Sequence, residues 1–221
     1  MSKYVGWGGL PDVFDESKDN WSEEFKELKE ILTDEEYKSA RASTLTAFYT
    51  PPVVINAIYN TLKNMGVEQA NILEPSCGTG NFLGMLPKEM QSSKLYGVEL
   101  DSISGKIAKQ LYQKANIKVQ GYEKADLPDS FFDISIGNVP FGDFKVNDKR
   151  YDKNNFLIHD YFFAKTLDKV RPGGVIAFIT SKGTMDKANP EVRKYLAQRA
   201  DLLGAIRLPD NTFTKNAGTK V

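Results

Sequence analysis

The chain has one cysteine, Cys77, and one histidine, His159, in 221 residues. A single cysteine excludes an internal disulfide framework and a cysteine zinc cluster. A single histidine leaves no set for a histidine-based metal centre. No apolar run approaches the roughly 20 residues needed to cross a bilayer, and the N-terminus lacks the basic-then-apolar pattern of a secretion signal. Excess charge is missing too, with 29 basic and 29 acidic side chains. These absences lead to the expectation of a cytoplasmic protein with no membrane association and no metal.

The charge that is present is unevenly placed. The first 40 residues hold 11 acidic and 5 basic side chains, and the remainder holds 18 and 24. The body can offer phosphates a positive face, or carry its charge as a scattered solvated surface. Hydrophobic residues make up 41%, and the length suits one sizeable domain.

Apolar spacing predicts a helix over 21–32, a second opened by the capping box Thr33-Asp-Glu-Glu36, and a third over 53–65 behind Pro51 and Pro52. The chain then alternates. Strands are expected at 71–74, 94–99, 117–120, 132–137, 174–180 and 202–208. Helices are expected at 81–86, 102–114, 156–170 and 190–200. Such alternation implies an α/β fold with a mostly parallel sheet and helices on both faces. The domain division is an N-terminal arm with short helices at 1–46 and a main domain at 47–221. Residues 142–155 are polar and read as a mobile loop.

The strongest local signal is Ile72-Leu-Glu-Pro-Ser-Cys-Gly-Thr-Gly-Asn-Phe82. A strand ends at Glu74, a Gly-rich turn follows, and a helix opens. It is not the dinucleotide fingerprint, because the third glycine, Gly84, comes one position late. It is not a phosphate loop either, because no Gly-Lys-Ser/Thr follows. An acid before the turn repels phosphate and suits a cation. Glu99 ends the next strand, placed to accept ribose hydroxyls, and Asp126 follows the third strand, placed to accept an adenine amine.

Glu74-Pro-Ser-Cys-Gly-Thr-Gly80 resembles the S-adenosylmethionine (SAM) motif of amino-methyltransferases. Ile134-Ser-Ile-Gly-Asn-Val-Pro-Phe141 resembles the Asn-Pro-Pro-aromatic motif of DNA adenine-N6 methyltransferases, with Val139 in place of the first proline. Thr50-Pro-Pro52 resembles the family segment that contacts the methionine end of SAM. The resemblance covers about 47–221 and implies a three-layer, Rossmann-like SAM-methyltransferase fold. The family's sheet ends in an antiparallel strand after the region of Phe213, which the chain, stopping at Ala217-Gly-Thr-Lys-Val221, is expected to lack. No target-recognition region follows Val221, so the sequence reads as a C-terminally truncated catalytic domain. Tyr4-Val-Gly-Trp-Gly-Gly-Leu-Pro-Asp-Val-Phe14 resembles the lead-in of methyltransferase regions fused to helicases in phage and mobile-element proteins.

The resemblance implies transfer of a methyl group from SAM to the N6 amine of a flipped adenine in DNA, with S-adenosylhomocysteine as product, in the setting of restriction-modification. The implied catalytic turn is Asn138, Val139, Pro140 and Phe141. The implied cofactor contacts are Thr50, Glu74, Pro75, Ser76, Cys77, Gly78, Gly80, Asn81, Phe82, Glu99, Leu100, Asp126 and Leu127. Phe141 and Phe213 are the expected aromatic faces for the base. In the acceptor model the Asn138 side-chain oxygen and the Val139 carbonyl hold the two amine hydrogens, which localises the nitrogen lone pair. Cys77 is expected to be a packing residue and His159 a packed, hydrogen-bonded one on a helix. Lys145, Lys149, Arg150 and Lys153 are candidates for phosphate contacts, with plain solvation as the alternative. DNA and further domains of a longer chain (a recognition or helicase region) are the expected partners. Two other functions fit the same motifs: methylation of RNA or of a protein glutamine, and a non-catalytic SAM-binding or scaffold module of a larger DNA-processing protein.

Overall fold

The computed structural model describes residues 6–44 and 47–213. Tyr4 and the tail 217–221 lie outside the described residues. Eight α-helices are described: α1 (Ser22–Ile31), α2 (Asp34–Ser43), α3 (Pro52–Asn64), α4 (Asn81–Gly84), α5 (Ser102–Leu111), α6 (Ile158–Lys169), α7 (Gly183–Asp186) and α8 (Glu191–Ala197). Five strands alternate with them: β1 (Asn71–Glu74), β2 (Lys94–Glu99), β3 (Asn116–Val119), β4 (Phe132–Asn138) and β5 (Val170–Ile179). The expected capping box is present at α2, where Thr33 and Glu36 satisfy each other's backbone N–H.

The strands form one sheet in the order β3-β2-β1-β4-β5, and every pairing is parallel. Neighbouring residues of a strand point to opposite faces. Ile72 accordingly joins a cluster with Ile55, Tyr59 and Leu62 of α3, while Leu73 joins a cluster with Tyr161, Phe162 and Ala164 of α6. The sheet is thus covered on both sides, giving three layers. The strand order reverses between β1 and β4, and a crevice opens where the loops leaving the two strands diverge.

The N-terminal part has a small core of its own, formed by Val13, Phe14, Tyr37 and Ala40. It rests on the main domain through the packing of α2 against α5.

Two expectations need correction. Residues 201–209 form no strand, and Leu202, Leu203 and Ile206 are 70%, 73% and 88% exposed. A strand is held by its neighbour's hydrogen bonds, and among the described residues no strand pairs with this segment. Residues 142–155 are not a loose loop but an anchored one. Tyr151 donates to Asp168 at 2.5 Å, and Asp148 accepts from Tyr161 at 2.7 Å and from Lys165 at 3.0 Å. Arg150, a candidate for phosphate contact, is engaged by Asp129 at 2.8 Å and Asp168 at 2.9 Å.

Candidate active site

The crevice at the carboxyl ends of the strands holds a cavity of about 270 Å³. β1 delivers Glu74, β2 delivers Glu99, β4 delivers Asn138, and the segment after β3 delivers Gly121, Tyr122 and Glu123. The chain leading into α3 closes it with Phe48, Tyr49 and Thr50.

The turn between β1 and α4 is shaped by glycine. Gly78 (φ +54°) and Gly80 (φ +88°) both lie in the left-handed region, which costs other residues roughly 1–2 kcal/mol. A Cβ on Gly78 would come within 3.2 Å of the Tyr49 ring. The Gly78 N–H donates to Glu99 Oε2 at 2.7 Å, and Glu99 Oε1 accepts from the Asp101 N–H at 2.8 Å. Glu99 thereby clips the glycine turn to the end of β2.

Glu74 and Glu99 are the most strongly shifted of the carboxyl groups that line this crevice. Burial pushes Glu99 up to about 7, against the downward pull of the Asp101 and Gly78 N–H groups. Glu74 is 2% exposed, and burial, followed by the nearby charge of Glu99, holds its carboxyl well above the usual range. Burial and the same two acids also push the Cys77 thiol up, so it is poorly suited to nucleophilic work at neutral pH. Cys77 packs with Leu83, Ala108 and Ile117.

At the end of β4, Asn138 Nδ2 donates to the Phe48 carbonyl at 2.8 Å. Ser76 Oγ donates to the Asn138 carbonyl at 2.9 Å, tying the glycine turn to β4. Three buried atoms among the cavity-lining side chains have no hydrogen-bond partner: Thr50 Oγ1, Glu74 Oε2 and Asn138 Oδ1. Unsatisfied buried polar atoms are costly. Three acceptors around one cavity fit a ligand that brings donors and positive charge.

Of the expected cofactor residues, Thr50, Glu74, Pro75, Ser76, Cys77, Gly78, Asn81, Phe82, Glu99 and Leu100 line the cavity, and Asn138 and Pro140 line it at the other end. Gly80 sits behind the turn against Tyr112. Asp126 is exposed on the surface and Leu127 is buried in the core, both away from the cavity. The acid on this side is Glu123, which the sequence reading missed. It stands four residues past β3 in a short turn over Tyr122–Lys124, whereas Glu99 is the last residue of β2. Val139 turns its side chain into the core at 1% exposure.

Neither expected aromatic ring lines the cavity. The Phe141 ring is stacked on Phe48, with centroids 5.4 Å apart and planes at 11°. Phe213 is buried in the α3 cluster with Ile55 and Tyr59, so its ring supports the sheet rather than covering the crevice. His159 is packed, as expected, but the expected hydrogen bonding is missing, since neither ring nitrogen has a hydrogen-bond partner.

The family model described as N-6 DNA Methylase matches residues 24–221. The chain belongs to that family. Among its relatives, "Defense against restriction protein B" of Escherichia phage P1 is 30% identical over 201 residues, covering 88% of this chain and 9% of the phage protein. "Type II methyltransferase M.CvrRI" of Paramecium bursaria Chlorella virus XZ-6E is 36% identical over 94 residues, covering 42% of this chain and 24% of the viral protein. This N-6 DNA methylase chain therefore spans well under half the length of these relatives. A solved structure assigned as a class I SAM-dependent methyltransferase from Listeria monocytogenes superposes with a TM-score of 0.55 at 16% identity, covering 82% of this chain and 64% of the other. The fold is accordingly the Rossmann-like fold of that class.

Proposed function

We propose that this domain transfers a methyl group from SAM to the exocyclic N6 amine of adenine in DNA, on a base turned out of the helix. The observation that carries the proposal is Asn138 Oδ1, a buried acceptor without a partner at the end of β4, lining the same cavity as Glu74 and Glu99.

The amine of adenine is a poor nucleophile because its lone pair is delocalised into the ring. Asn138 Oδ1 accepts one amine hydrogen and the Val139 main-chain oxygen the other, which draws nitrogen toward tetrahedral geometry. That oxygen is indifferent to the valine in place of proline. The chemistry is orientation and preorganised polarity, with no covalent enzyme intermediate. Bound SAM supplies an electrophilic methyl group on a sulfonium. Glu74 meets positive charge from below the turn, Glu99 accepts ribose hydroxyls, Thr50 accepts a donor at the methionine end, and Glu123 takes the adenine-amine role first expected of Asp126. Ile158 and Phe162 form apolar walls on that side. A base reaches the Phe141 face once Phe48 has withdrawn, and flipping is required because the amine is otherwise held in a base pair. Selection of a DNA sequence falls to other parts of a longer protein, in line with the small share of its relatives that this chain spans.

Tritiated SAM offered with DNA, RNA and protein in parallel, followed by nucleoside analysis, tests the proposal. Label recovered as N6-methyladenine from DNA is expected. Label in RNA alone, or on a protein glutamine alone, overturns the choice of acceptor. SAM binding without transfer to any acceptor favours the non-catalytic module.

A further inference from the structure

A continuous chain of hydrogen bonds joins α2 to the carboxylate that ends β2. Ser39, on α2, donates its hydroxyl to Asp101 Oδ1 at 3.2 Å and accepts from the Ser102 N–H at 3.0 Å. Ser102 is the first residue of α5, and its N–H has no acceptor within its own helix. The hydroxyl has one proton, so its 3.5 Å approach to the Leu100 carbonyl is a weaker, shared contact.

Asp101 is 2% exposed. Its Oδ2 accepts from the Ser104 N–H at 2.9 Å and from Ser104 Oγ at 2.5 Å, closing the first turn of α5. Its own N–H holds Glu99 Oε1 at 2.8 Å, and Glu99 Oε2 holds the glycine turn through Gly78. One turn before Ser39, Glu36 accepts from Lys106 of α5 at 2.7 Å. One turn after it, on the same face of the helix, Ser43 lines the cavity itself.

We propose that α2 forms a clasp over the cofactor site, with Ser39 as a positioning residue that sets the turn 99–102. Docking of α2 on α5 and binding of the cofactor are therefore coupled. The proposal rests on the SAM reading above. Each Glu99 oxygen spends one lone pair on a main-chain N–H and keeps another for a hydroxyl donor, so both acceptor directions follow the turn that Ser39 holds. Loss of the clasp tilts both acceptors together. Coupling of this kind is reciprocal: cofactor tightens α2, and a docked α2 tightens the cofactor.

The test uses the whole chain with SAM and S-adenosylhomocysteine as probes, in calorimetry and amide hydrogen exchange. Ser39→Ala is expected to raise Kd for both by about three- to tenfold, the loss of one or two hydrogen bonds. The loss falls on KM for SAM rather than on kcat, and Ser39→Thr, which keeps the hydroxyl, recovers most of it. In the unaltered protein, exchange across 34–43 slows on binding either probe. That measurement stands even should the alanine variant fail to fold. Equal Kd for Ser39→Ala and the parent, or exchange in α2 that ignores bound cofactor, overturns the clasp while leaving SAM binding intact. A parent chain that binds neither probe overturns the cofactor reading and the clasp together.

Discussion

The Asn138 side chain donates from Nδ2 to the Phe48 carbonyl at 2.8 Å, and this bond decides which of its polar atoms is left for chemistry. A carbonyl only accepts, so the nitrogen must face it, and Oδ1 is left without a protein partner. The orientation of the carboxamide is thereby assigned by its network. Phe48 precedes the helix α3 and Asn138 ends β4, so two distant segments cooperate to present one acceptor.

Asn138→Asp removes the donor and sets a carboxylate against the Phe48 carbonyl. Transfer is expected to fall by about 10²–10³, the loss typical of a preorganised polar group aimed at the reacting atom. SAM affinity stays within a few-fold, because Glu74 and Glu99 sit on other strands. Single-turnover transfer of tritium beside calorimetry separates the two quantities. A near-full rate for the aspartate variant rules out the acceptor model.

The same pair of segments stacks the ring of Phe48 on that of Phe141. A nucleobase sandwiched between two rings needs planes about 7 Å apart, two contact distances of about 3.5 Å. Phe48 and Phe141 have centroids only 5.4 Å apart. A base can therefore enter between the two rings only once Phe48 has retreated. Phe48→Ala keeps the main-chain carbonyl that holds Asn138 and removes the obstruction, so KM for adenine-bearing single-stranded DNA should drop a few-fold. Phe141→Ala should raise it by about tenfold or more, from a stacking contribution of about 1–3 kcal/mol per base. If both variants raise KM alike, Phe48 is a wall of the base site and not an obstacle to it.

The acids at the strand ends were legible because each closes an apolar run, and Glu74 and Glu99 both line the crevice. Asp126 and Glu123 stand three residues apart in one connection, and no periodicity distinguishes them. The short turn over Tyr122–Lys124 decides which acid faces the cavity. The stack of Phe48 on Phe141 joins residues more than 90 positions apart, beyond any local pattern. Phe213 stands where the resemblance implies an aromatic, yet its ring finds the cluster under α3. The apolar run at 202–208 has the composition of a strand, but composition cannot supply the neighbour that a strand needs. The capping box and the parallel direction of the five paired strands depend on short-range chemistry and alternation, and those were readable.

Glu99 is expected to make its own contribution to stability and to cofactor binding respond oppositely to pH. Its folded pKa is pushed up to about 7 from an ordinary 4.5, so between those values the folded state keeps a proton that the unfolded state has released. Stability from this group is full below pH 4.5 and is lost as pH rises toward 7. Glu74 moves in the same direction. Ionised carboxylates are, however, what a cationic cofactor with free hydroxyls selects. The increase in Tm produced by saturating SAM should therefore grow from pH 5 to pH 7.5, while the Tm of the protein alone declines. A SAM-induced increase that is the same at both pH values excludes Glu99 and Glu74 as titrating contacts.

Gly80 separates the shape of the turn from its ligand-facing surface. Its φ of +88° lies in the left-handed region, and a Cβ there would stand 2.4 Å from the Tyr112 ring. Gly80→Ala therefore adds backbone strain of roughly 1–2 kcal/mol to a clash with an aromatic side chain. A total near 2 kcal/mol corresponds to about 4–8 °C in Tm for a chain of this size. Tyr112→Ala removes the clash but not the strain. In that background the glycine-to-alanine change should cost roughly half as much, and the difference is the coupling between the two positions. Because Gly80 faces Tyr112 rather than the cavity, the loss should appear in thermal melts before it appears in SAM affinity. Equal costs in both backgrounds would mean that the ring moves aside freely and that backbone conformation alone demands glycine.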